Sequence, residues 1–186
     1  MQPGGGERSF AGAIALGRTA DGLTFSRLVI AIVLVPVLGA HNAAAAAVLV
    51  GAGWLTDFLD GRAARAAEGH TRLGPFDLWV DTLVGAGVLL GFVAWGWVPA
   101  LVGVSLVVVL FAAFAFTRNV ALSFLLQAIG YTLLLWRTWQ DGAHGALVWL
   151  LGIITFLAVV NRKQFLGNAV PTFLKGMAAV FRGRPD

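Results

Sequence analysis

Cysteine is missing from this chain altogether. Disulfides, thiolate nucleophiles and cysteine-ligated metals are therefore excluded. Charge is scarce as well: only 12% of the 186 residues are charged, against about 25% in soluble domains. No Walker-type loop, zinc motif, serine triad or internal repeat is present. What fills the chain is apolar, with 59% hydrophobic residues and a mean hydropathy of +0.84. This composition excludes an ordinary soluble domain and belongs to the membrane class.

Long apolar runs separated by short polar breaks predict six transmembrane helices. They are expected over Leu23–Ala40, Asn42–Gly61, Phe76–Trp97, Val98–Phe116, Val120–Trp136 and Ala146–Phe165. Six helices of ~20 residues use about 120 positions, which leaves one membrane domain over 1–186 and little else. Phe10, Ile14 and Leu16 with Arg8 and Arg18 predict a short interfacial helix over about 8–20. The glycine-rich start lacks the basic region of a cleaved leader, so none is expected. Residues 167–186 form a tail in which Phe173, Leu174, Met177 and Phe181 suggest a second surface-lying segment. The fold class is thus all-α and polytopic.

The basic residues fix an expected orientation. With six spans, both termini and the connectors 62–75 and 117–119 share one side, and twelve of the thirteen Lys and Arg residues fall there. Only Arg137 lies opposite. The positive-inside rule places that side in the cytoplasm, in a plasma membrane of bacterial type. A basic face directed at anionic headgroups accounts for the net charge of +4 without nucleic acid.

The acids are placed differently. Asp57 and Asp60 end the second span, and Asp77 and Asp81 begin the third. Spacings of three and four put each pair on one helix face. Aspartates at membrane depth cost kilocalories unless paired, hydrated or bound to metal. If the two faces oppose, the quartet repels itself unless a cation enters, and an all-oxygen set suits Mg²⁺ or Mn²⁺. Between the pairs, Gly61 and Ala64 offer small surfaces, Arg65 is a natural phosphate partner, and Pro75 suits a first helical turn.

Asp57-x2-Asp60-Gly61-x2-Ala64-Arg65-x8-Gly74, with Asp77 and Asp81 beyond it, resembles the CDP-alcohol phosphatidyltransferase signature D-x2-D-G-x2-A-R-x8-G-x3-D-x3-D. The opening Leu23-Thr24-Phe25-Ser26-Arg27 is similar to a Leu-Thr-x-x-Arg element of the same family. One departure stands out: two residues, Pro75 and Phe76, separate Gly74 from Asp77 where the family has three. Inside a helix such a deletion rotates the remaining turns by about 100°. The intact spacing of Asp77 and Asp81 favours absorption by the loop.

The resemblance implies that Asp57, Asp60, Asp77 and Asp81 hold two ions of Mg²⁺ or Mn²⁺. It implies that Gly61, Ala64, Arg65 and Gly74 line the site of the cytidine diphosphate, and that Asp81 is the general base. The implied donor is a CDP-linked lipid such as CDP-diacylglycerol. The implied acceptor is a small polar or phosphorylated alcohol, CMP is the product, and the enzyme is a homodimer. Arg118 and Arg72 are candidates for an acceptor phosphate, Arg118 being equally readable as a positive-inside anchor. Arg27 is expected to snorkel, with a ligand contact the alternative, and His70 to lie on the solvated surface. Gly85, Gly87 and Gly91 are expected to permit close helix packing.

Two other readings fit the same composition. One is a non-catalytic lipid-binding or scaffold member of the fold. The other is a small cation-coupled transporter that uses the acids as its ion site, which leaves Gly61, Ala64 and Arg65 without a role.

Overall fold

The computed structural model describes residues 5–67, 70–162, 167 and 170–182. Among these residues the longer elements are all helical and no strand occurs. The first helix, α1, runs unbroken over Gly5–Gly39. The separate interfacial helix expected over 8–20 is therefore a continuation of the first span. A buried stripe of Ala20, Thr24, Arg27, Ala31, Leu34 and Leu38, at alternating spacings of four and three, carries the helix through the expected break.

Asn42 starts α2 (Ala43–Ala66) by accepting the Ala45 N–H on its side-chain oxygen at 2.9 Å. This helix extends past the expected end at Gly61, so Gly61, Ala64 and Arg65 are helical and not part of the connector. A 3₁₀ turn at Gly74–Phe76 precedes α3 (Asp77–Ala94). Then come α4 (Ala100–Thr117), α5 (Val120–Gln140) and α6 (His144–Val160). Amphipathic α7 (Val170–Arg182) follows, in the tail where a second surface-lying segment was expected. Phe165, the expected end of the sixth span, lies outside the described residues.

Helices α1 to α5 are each long and apolar enough to cross a membrane, while apolar α6 has 17 residues. The protein is an integral membrane protein of the all-α polytopic kind. Its hub is α3. Over its most apolar stretch 56% of residues are buried, against 17% for α4, whose Leu101, Val108 and Phe116 face outward. Small residues let α1 approach α3 closely: a Cβ on Gly87 would come within 2.3 Å of the Ala31 carbonyl oxygen. Leu34 and Leu38 of α1 and Val88 and Phe92 of α3 belong to the same buried core. The short connectors alternate helix direction, so the end of α2, the start of α3 and the α4–α5 turn share one end of the bundle.

Candidate active site

At that end the Arg27 side chain, 1% exposed, comes off α1 into the gap between α2 and α3. Its Nη1 donates to Asp57 at 2.8 Å and to Asp81, and its Nη2 donates to Asp60 and Asp77. One guanidinium thus gathers all four aspartates of the motif from two helices. The expectation that Arg27 snorkels to the interface is corrected. The carboxylates hold it inside, because one cation between four anions lowers a repulsion that low dielectric makes large.

The four acids are not equivalent. Asp60 is 4% exposed and also accepts a hydrogen bond from the Thr24 hydroxyl at 2.9 Å, so α1 grips it twice. Asp57, Asp77 and Asp81 are half-buried, and one oxygen from each lies within 4.8 Å of the others. This trio fits a divalent cation. The donors are hard oxygens of the type Mg²⁺ and Mn²⁺ take, and the group already surrounds a positive charge.

The one-residue shortfall after Gly74 is absorbed ahead of α3. The 3₁₀ turn takes up Gly74, Pro75 and Phe76, and the α-helix begins at Asp77 itself. Asp77 and Asp81, a helical turn apart, then both face Arg27. The loop before the turn is tied to α1 by Asp21. Its carboxylate accepts the backbone N–H of Arg72 at 3.0 Å and of Leu73 at 2.8 Å.

The other expected residues lie around this centre. Gly61 and Ala64 are half-buried on α2, and exposed Arg65 folds back so that Nη1 lies 3.6 Å from where a Gly61 Cβ would be. Gly74 and Arg72 are exposed in the connector. Arg118, in a left-handed turn with φ 56°, lays its guanidinium 4.8 Å from the Trp79 ring centroid, and no contact joins it to the acid quartet. His70 is exposed, as expected. Sequence reasoning gave Asp21 no role, placed Thr24 and Arg27 in the Leu-Thr-x-x-Arg element without a role for Thr24, and favoured an anchor over a ligand contact for Arg27. Their signal was present: three polar side chains at successive spacings of three share one stripe of the first helix and run into its apolar half.

Helical spans that bring metal-competent acids to one end of a bundle define a polytopic membrane protein with a half-buried acidic site. A family model for CDP-alcohol phosphatidyltransferase matches residues 18–161. The chain belongs to that family. Neither a curated protein nor a solved structure is similar enough to the chain to count as a match.

Proposed function

We propose that the protein is a divalent-metal-dependent membrane transferase. It moves a phosphatidyl or related phospho-alcohol group from a CDP-linked lipid, such as CDP-diacylglycerol, to an acceptor hydroxyl. The observation that carries this reading is the convergence of Asp57, Asp77 and Asp81, with one oxygen each inside 4.8 Å, on a chain of this family. Asp57, Asp60, Asp77 and Asp81 would hold two ions of Mg²⁺ or Mn²⁺. Such ions neutralise charge on a diphosphate and on its leaving group.

The chain's own residues do the rest. Gly61 and Ala64 leave room on α2 for the nucleotide, Arg65 meets its phosphates, and Gly74 borders it from the connector. The acceptor oxygen attacks the lipid-side phosphorus as the anhydride bond to CMP breaks. The hydroxyl proton passes to Asp81, the last acid of the set. Arg118 and Arg72 would bind a phosphate on the acceptor. The site and both termini face the cytoplasm on the charge asymmetry, and the working form is a homodimer.

Purified protein given Mg²⁺ or Mn²⁺, CDP-diacylglycerol and a panel of acceptors should release CMP with at least one of them. Asp81→Asn should lower that rate by on the order of a thousandfold. Absence of release with every acceptor, alongside retained CDP-lipid binding, would instead identify a non-catalytic lipid-binding member.

A further inference from the structure

Arg27 touches the same three carboxylates whose oxygens lie close enough to share one ion. A guanidinium and a divalent cation cannot both fill the space between them. We propose that Arg27 is the resident counter-ion of this site, and that divalent cations bind by displacing its guanidinium from Asp57, Asp77 and Asp81 while Asp60 retains it through Oδ2, the oxygen Thr24 also holds, and offers Oδ1 to an ion. The inference rests on the metal-dependent reading above and assigns a positioning role to a residue outside the acid motif.

Three features make the guanidinium displaceable. First, none of its contacts is the two-pronged arginine–carboxylate pair that gives such bridges their strength, since each aspartate receives a single nitrogen. Second, Nη1 and Nη2 each serve two acids while buried Nε has no hydrogen-bond partner. Each of the four Nη–H donors is committed to a different acid, so no single acid holds the fork by more than one bond. Third, four acids face a single base, so Arg27 cannot match them one for one.

Asp60 behaves differently. Its carboxylate is the most buried of the four and is also held by Thr24, one helical turn before Arg27 on α1. A guanidinium withdrawn from the trio therefore keeps a buried partner and is not left as an isolated charge. Arg27 would thus hold the helices together when no ion is bound, at the expense of ion affinity.

The test is Mn²⁺ binding to detergent-purified protein, monitored by electron paramagnetic resonance and by the Mn²⁺-induced rise in thermal midpoint. Arg27→Gln should bind Mn²⁺ about tenfold or more tightly than wild type. Its midpoint should start lower and rise further, because the ion then replaces the missing counter-charge. Arg27→Lys keeps the charge but not the fork, so it should fall between the two. A glutamine variant that is recovered folded only when Mn²⁺ is present throughout purification supports the proposal. If that variant cannot be recovered at all, the lysine variant decides. Unchanged or weaker Mn²⁺ affinity in the variants, with wild type binding normally, overturns the displacement alone. No Mn²⁺ binding by wild type overturns the metal-dependent reading with it.

Discussion

Two arginines sit among the helices at opposite ends of the bundle, and their surroundings differ in one respect that matters. Arg27 faces four carboxylates. Arg137 faces a single one, Asp141 at 2.9 Å, and lies over Trp95 and Trp97 at 4.5 and 5.7 Å from the ring centroids. Both leave a buried Nε without a partner, so an unsatisfied guanidinium nitrogen does not distinguish them. Charge balance does. At Arg137 one cation meets one anion and two electron-rich ring faces, an arrangement that asks for nothing more. At Arg27 the acids outnumber the base, and the surplus is what a divalent ion can use. Aromatic rings beside a cation are the composition of an interface anchor; acids around one are the composition of chemistry.

The largest contrast between the two ends comes from making the same change at both. Asp57→Asn takes the negative charge from one member of the oxygen trio and should lower CMP release on the order of a hundredfold. It should also weaken Mn²⁺ binding. Asp141→Asn breaks an i,i+4 pair whose side chains are 26% and 29% exposed. Pairs of that kind contribute about 0.3–0.5 kcal/mol, so the rate should stay within about twofold. Equal losses from the two substitutions would erase the distinction between the ends.

A middle-sized effect is expected from the contact that holds the acidic end together. Gly87→Val would push a side chain into the Ala31 carbonyl, one turn beyond Arg27 on α1. Overpacking of this kind costs about 1–3 kcal/mol, read as a lower thermal midpoint in detergent. Because α1 carries Arg27 and α3 carries Asp77 and Asp81, Mn²⁺ affinity should change along with stability. Gly152→Ala on α6, with nothing within 4 Å of its added Cβ, should leave both unchanged or raise stability slightly.

Much of this architecture was legible in the sequence because membrane depth leaves few choices. Apolar runs located the spans, and the spacing of Asp57, Asp60, Asp77 and Asp81 put each pair on one face. The helix ends were less legible. The second span was expected to stop at Gly61 because that residue begins a polar run, yet α2 continues to Ala66. Polar residues past the interface do not end a helix; they change what surrounds it. The interfacial segment merged with the first span for a related reason, since the Asp21-Gly22 pair offers a break that the buried stripe on α1 overrides. Arg27 was misplaced because its partners are at least 30 positions away in the chain. A rule built on distance from the span end sees an anchor where the folded chain has a counter-ion.

A small effect, confined to stability, should come from Arg137 itself. Replacing it by Gln removes the ring contacts and the pair with Asp141 together. Partly exposed interactions of both kinds contribute about 1 kcal/mol or less apiece, so a midpoint shift of a few degrees is expected with CMP release and Mn²⁺ affinity intact. His41 stacks on the same Trp95 at 4.9 Å between ring centroids, and Trp95 and Trp97 both pack on buried Phe92. The aromatic cluster therefore keeps its shape without the guanidinium. Loss of CMP release in Arg137→Gln, with the midpoint unmoved, would mean that the far end feeds the reaction by a route other than stability. Charge balance would then be too narrow a criterion for separating an anchor from a site.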